Sequence, residues 1–406
     1  MMRRVLMVVL LVIMASAGWL WWHSSRGASE AGAQASLLPL LTDEDTMGFR
    51  RATEPGAIQF PRDLGPHPEY QTEWWYYTGS LQTAAGRRFG YQLTFFRRAL
   101  TADGGRPGDD RPQPGQREQS STPGAQAPSD WRTEQIYLAH FAITDVEGEA
   151  FYPNERFSRG ALGLAGAQVE PYRVWLEDWS AVETADGAVR LIAQAEDVAL
   201  DLRLTQTLPP ILHGDGGLSP KGPEEGNASY YYSIVQQETT GTVAVQGESY
   251  AVEGLSWKDH EYSTSALSPG AIGWDWFSLQ MDSGAALMFF QIRREDGSLQ
   301  PESSGTFIHP DGATQEVTLD MWQMEVTGTW ESPHSGAEYP AGWRIRIPEL
   351  DLILEGQPLL ADQELNVSTV YWEGVVNFAG MWQGENISAT GYIELTGYAG
   401  SMEGRL

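Results

Sequence analysis

The residues best suited to chemistry lie in one short stretch, Trp257-Lys258-Asp259-His260-Glu261-Tyr262, followed closely by Gly273-Trp274-Asp275-Trp276-Phe277. Carboxylates, an imidazole and large aromatics are interleaved there. A site that moves protons beside an apolar substrate needs this set. Acids and a histidine carry the proton, and aromatic faces hold the hydrocarbon and any cation formed on it. The same alternation also describes ordinary strands whose aromatics face a core and whose charges face water.

One chemistry this set can supply is addition of water to an isolated double bond. Protonation gives a tertiary carbocation, which water captures. That needs an acid, a base for the water, aromatic faces and exclusion of bulk solvent. Asp275, between Trp274 and Trp276, is the expected general acid, because burial against indoles raises a carboxyl pKa. His260 is the expected base, oriented by Asp259 or Glu261. Trp257, Tyr262 and Trp276 are expected to stabilise the cation, each worth up to about 2 kcal/mol when desolvated. One geometric conflict stands out. If 273–277 is a strand, the two tryptophans share a face and Asp275 points to the other, unless a bulge re-aims it.

Other acids and histidines carry two readings each. His140 sits in an alternating stretch, 137–143, where a buried histidine with a hydrogen-bond partner competes with a site role. Glu73 and Glu373 flank aromatics and could approach the same cavity; the alternative is an ion pair with an arginine such as Arg97 or Arg293. His67, before Pro68, reads as a strand-entry residue. No metal is expected, because the seven histidines include no His-x-x-x-His pair. An ion at Asp259, His260 and Glu261 would need His140 to converge on them. Gly-x-Ser-x-Gly is absent, which disfavours an ordinary serine hydrolase.

The elements that must position these groups read as strands. Segments 74–77, 89–96, 137–143, 198–205, 230–235, 274–280, 286–292, 322–330, 343–347 and 391–395 are aromatic or β-branched runs, separated by turns such as Asp282-Ser283-Gly284 and Asp296-Gly297. No long helix with a clean 3.6 period is visible. Many short strands at even spacing predict antiparallel barrels or sandwiches. An acid, an aromatic pair, a hairpin, Phe-Phe and Arg-Arg occur twice in that order, from Glu73 to Arg98 and from Asp275 to Arg294. The repeat hints at two related barrels joined near residues 250–270.

Bulk properties bound the rest. The chain has 406 residues, enough for about two or three domains. Its 54 acids against 26 bases give a net charge of −28, which argues against nucleic acid, since phosphate binding needs a basic surface. Only Lys221 and Lys258 are lysines. With no cysteine, a disulfide scaffold, a thiol nucleophile and an iron–sulfur cluster are excluded. Arg3 and Arg4 precede an apolar run from Val5 to Trp22, with Ala15-Ser16-Ala17 as a cleavage site. Residues 1–26 are therefore a signal peptide or an uncleaved membrane anchor, and 27–48 a tether. Either way the body is expected outside the cytoplasm, periplasmic or tethered to the outer face of the cytoplasmic membrane. A Gly-, Pro- and Ser-rich stretch at about 103–130 reads as a disordered insertion.

One ordered set of motifs resembles the carotenoid 1,2-hydratase/AttH-like family. It comprises His67-Pro68, Thr72-Glu73-Trp74-Trp75-Tyr76-Tyr77-Thr78-Gly79, His140-Phe141-Ala142, Gly254 with Trp257, Asp259-His260-Glu261-Tyr262, Gly273 to Phe277, Tyr371-Trp372-Glu373-Gly374, and Gly391-Tyr392 with Gly397-Tyr398. Tyr262 stands where many relatives carry Trp. The resemblance implies an all-β chain of two tandem lipocalin-like antiparallel β-barrels, residues 49–262 and 263–406. It implies a hydratase-type lyase acting on an isoprenoid or carotenoid-like lipid, with Trp75, Trp257, Tyr262, Trp274, Trp276 and His140 around the substrate. No cofactor is expected, since proton transfer and cation stabilisation suffice. Other family members sit with lipid- or lipoprotein-exporting ABC systems, so a carrier of apolar lipid is the second expectation. A lipid esterase using Asp259, His260 and Glu261 is the third.

Overall fold

The computed structural model describes residues 46–102, 134–265 and 267–402. The expected leader, almost all of the tether and the expected insertion lie outside them. Among the described residues, regular structure is strand apart from two 3-10 turns, and no helix is long and apolar enough to cross a membrane.

Two antiparallel sheets account for the chain. The first has 13 strands and runs from Thr72 to Ser263; the second has 10 and runs from Ala271 to Leu395. At the centre of the first, Thr72–Gln82 lies between Arg88–Ala99 and Glu248–Ser263, with Trp75 opposite both Phe95 and His260. At the centre of the second, Ala271–Met281 lies between Ala286–Arg294 and Glu385–Leu395. Each sheet curls around its own aromatic and aliphatic core. One core is built on Trp75, Phe95, Phe141 and Trp179, the other on Phe277, Phe289, Trp343 and Trp372.

The repeated sequence pattern marks equivalent hairpins. In the first barrel Arg97 Nε donates to Glu73 at 2.8 Å; in the second Arg293 Nε donates to Asp275 at 2.9 Å. An acid–arginine pair thus closes each hairpin, directly across the strands for Glu73 and Arg97 and diagonally for Asp275, which lies opposite Gln291. Strands at Ala150–Arg159, Arg173–Leu176, Trp179–Glu183 and Val189–Gln194 were not apparent from the sequence. Ala150–Arg159 is half-buried along most of its length and mixes polar with aromatic residues, and the other three are only four to six residues long, too short for their alternation to stand out from the sequence.

A third apolar cluster joins the barrels. Tyr76, Tyr231 and Trp257 of the first sheet pack with Trp276, Met288, Phe290 and Tyr392 of the second. Polar ties reinforce it: Gln280 donates to the Val235 carbonyl at 2.7 Å, Thr144 to Gln363 at 2.8 Å and Trp276 to the Tyr231 hydroxyl at 2.9 Å.

Gly254 holds the central strands of the first barrel together. A Cβ there would fall 2.1 Å from the Ser80 carbonyl oxygen across the strand pair. Backbone cannot yield as a side chain can, so Gly254→Ala must spread the strands that carry Asp259 and Tyr76. We expect a loss of about 1–3 kcal/mol, read as a lower midpoint in thermal unfolding; an unchanged midpoint would contradict this packing.

Candidate functional site

The aromatic seam between the barrels is incompletely filled. It leaves a half-open cavity of about 140 Å³. Strand alternation decides what faces it. On Glu248–Ser263, the odd-numbered residues Asp259, Glu261 and Ser263 line the cavity; on Ala271–Met281, Trp274 and Trp276 do. Trp74, Tyr76 and Phe96 come from the first hairpin, Tyr231 from Ala228–Val245, Phe290 and Ile292 from the second hairpin, and Glu394 from the last strand. The lining is mostly apolar, with carboxyl groups from both barrels.

Asp259 is 3% exposed. Tyr231 Oη donates to its Oδ2 at 2.6 Å and Trp257 Nε1 to its Oδ1 at 2.6 Å; Ser233 Oγ also donates to Oδ1. Burial pushes its pKa up and the three donors pull it back, leaving it at about 7. Burial dominates because no cation touches the carboxylate. The two hydroxyls can turn to accept, so the protonated form is satisfied as well.

Glu394 forms the second acidic wall. Trp274 Nε1 donates to its Oε1. Burial raises its pKa to about 7. Behind it lies its cross-strand partner Glu373, fully buried, and the two carboxyls hydrogen-bond. Burial, then the Glu394 charge, hold the Glu373 pKa well above the ordinary range. Glu373 is therefore the proton-bearing member. It is fixed by Tyr76 Oη at 2.8 Å and Gln92 Nε2 at 3.1 Å. Glu261, the third acid on the wall, is neutralised instead: Lys221 Nζ lies 3.0 Å away and Ser229 donates to it. The Lys221 ammonium also sits 4.0 Å from the Phe290 ring centre.

The structure divides the expected site residues into groups. Asp259, Glu261, Trp274 and Trp276 line the cavity, and Trp257 braces Asp259 from the same face. Asp275 does not line it. The strand keeps its regular alternation there, so Asp275 points opposite the tryptophans and meets Gln291 Nε2 at 2.8 Å, Arg293 Nε at 2.9 Å and Tyr398 Oη at 3.1 Å. Burial still raises its pKa against the Arg293 charge, but its carboxyl is held by these three partners away from the cavity between the barrels. His260, Tyr262 and Trp75 face into the first barrel. His260 stacks on Trp75 and Tyr262 stacks on His67, at ring-centre distances of 4.9 and 3.5 Å. His140 ties the barrels together: Nδ1 is 2.6 Å from Tyr371 Oη and Nε2 3.1 Å from Glu155. It does not converge on Asp259, His260 and Glu261.

Glu394 was missed. It is a lone acid in Gly391-Tyr392-Ile393-Glu394-Leu395, and only its register opposite Trp276 and Glu373 brings it to the cavity. The histidines hold a further surprise: His67, Glu73 and His260 present ligand atoms within 4.8 Å of one another, although nothing in their spacing announces it.

Two curled antiparallel sheets with an acidic, aromatic cavity between them define an all-β, two-barrel protein. The chain belongs to the AttH-like family, whose model matches residues 51–398. The crystal structure of an AttH from Nitrosomonas europaea aligns with 34% identity and a TM-score of 0.71, covering 86% of this chain and all of that one. Kievitone hydratase from Nectria haematococca shares the fold at 13% identity and a TM-score of 0.62, over 87% of this chain and 98% of its own. Dehydratase asqC of Emericella nidulans is 24% identical over 219 residues, which is 51% of this chain. The match spans 60% of that dehydratase's length.

Proposed function

We propose that this protein is a hydratase-type lyase that adds water to, or removes it from, an apolar substrate held between the barrels. One observation carries the reading. Asp259 and Glu394, from different barrels, line one aromatic cavity, and both titrate near neutrality. At neutral pH one such group can be an acid while the other is a base. The names of a related dehydratase and of a hydratase of the same fold agree with it.

In the hydration direction the protonated Asp259 gives its proton to one alkene carbon, using the π electron pair. The adjacent carbon becomes a cation, and the faces of Trp74, Trp274 and Trp276 stabilise it. Water attacks that carbon and loses a proton to the Glu394 carboxylate. Glu373 keeps Glu394 oriented and supplies a hydrogen bond to its charged form. Exchange with solvent returns both groups to their starting states. Dehydration runs the same steps backwards with the roles exchanged. A branched isoprenoid alkene suits the chemistry because it gives a tertiary cation. The Arg3-Arg4 leader pattern supports action outside the cytoplasm.

Mass spectrometry of lipids that copurify with wild type and with Asp259→Asn tests the reading. The expected result is an alkene trapped in the variant and its adduct with one water in wild type. The same unaltered lipid in both would overturn it and favour a carrier.

A further inference from the structure

On the far side of the Asp259 strand, inside the mouth of the first barrel, lies a second cluster of chemically capable groups. It takes no part in the cavity chemistry. Glu73 Oε1 accepts from two imidazoles at once, His67 Nδ1 at 2.8 Å and His260 Nε2 at 2.8 Å. The three residues come from the entry segment, the first strand and the strand Glu248–Ser263, and they are 7%, 0% and 0% exposed.

We propose that His67, Glu73 and His260 bind a divalent transition-metal ion, with zinc the best-matched. Two imidazole nitrogens and one carboxylate oxygen are a recurrent zinc donor set that leaves a fourth position open. The outer atoms of all three ligands are already held as such sites require. His67 Nε2 lies 3.1 Å from Asp63 Oδ1, and Asp63 is itself fixed by Arg62 and the Gln59 amide. His260 Nδ1 lies 2.8 Å from Tyr232 Oη. Glu73 Oε2 is held by Arg97 Nε at 2.8 Å and the His67 amide at 3.0 Å, which leaves Oε1 for the ion. A surface cavity of about 480 Å³, lined by Asp63, His67, Tyr70 and Tyr262 among others, gives an entry path.

The ion takes the place of the N–H protons that His67 Nδ1 and His260 Nε2 direct at Glu73 Oε1, which leave to solvent or to the far ring nitrogens. The far nitrogens, His67 Nε2 facing Asp63 and His260 Nδ1 facing Tyr232, stay free of the ion and keep each ring oriented. The neighbouring Arg97 charge opposes the ion, so its affinity falls below that of an all-anionic site.

The test is calorimetric titration of chelator-treated full-length protein with zinc chloride at pH 7.5. It is run in excess magnesium to occupy surface carboxylates. We expect one ion per chain. Asp63→Asn should weaken binding by roughly 10–100-fold, and His67→Ala should abolish it. Cobalt(II) should give the visible absorption of a four-coordinate ion in wild type and not in His67→Ala. No saturable zinc binding by folded wild type, or binding unchanged in both variants, would overturn the proposal. Neither result depends on lyase activity, so the cavity reading stands or falls separately.

Discussion

Asp259→Asn is expected to lose turnover by about 10²–10⁴-fold, the usual contribution of a general acid, while the fold becomes more stable above neutral pH. The second effect follows from the first group's environment. Asp259 titrates near 7 in the fold and near 3.9 in an unfolded chain. Between those values the folded state binds more protons, so stability falls as pH rises from about 4 to about 7, and the penalty is complete above that. Asparagine never ionises and escapes it. The variant should match wild type at pH 4 and exceed it by roughly 2–4 kcal/mol at pH 8. Chemical denaturation at the two pH values checks this. Equal stability differences at both would mean that Asp259 is not held near neutrality.

The largest loss of stability is expected from Arg97→Met. Arg97 and Glu73 are both fully buried, and Arg97 Nη2 also donates to the His67 and Tyr70 carbonyls at 2.8 and 2.9 Å. Removing the guanidinium leaves two carbonyl groups without a donor and takes the permanent cation from the buried Glu73 carboxylate, which keeps only the His67 and His260 rings and the His67 amide; the cost is about 3–5 kcal/mol. The exposed pair Arg190–Asp201 is the control: its nitrogen and oxygen are 2.6 Å apart and its side chains about half exposed, so Arg190→Met should cost no more than about 1 kcal/mol. Denaturant midpoints for the two variants make the comparison. Similar losses would contradict the claim that the Glu73 pair anchors the barrel mouth.

Much of this arrangement is legible in the residues. The aromatic hairpins, their Phe-Phe and Arg-Arg ends and the acid at the start of each announce two related β units, because period-two alternation and turn residues are local signals. Asp259, Trp274 and Trp276 are legible for the same reason. Asp275 shows where local logic must be followed strictly. Its tryptophan neighbours in sequence lie on the opposite face of the strand, and no bulge re-aims it; the conflict with an acid role was visible in the alternation itself. Glu394 and the His67–Glu73–His260 convergence are not legible. Each depends on pairing between distant strands; His260 meets Glu73 across 187 positions. Composition and spacing carry no record of such register.

The most direct test of the central claim is infrared difference spectroscopy of wild type against Asp259→Asn across pH 5–9. The wild-type-minus-variant spectrum should hold a protonated-carboxyl C=O band at pH 6 that vanishes near pH 7 to 8, while the bands of Glu373 and Glu394, common to both proteins, cancel. A difference spectrum without that band at pH 6 would show Asp259 already ionised, and the acid at the heart of the cavity would be lost.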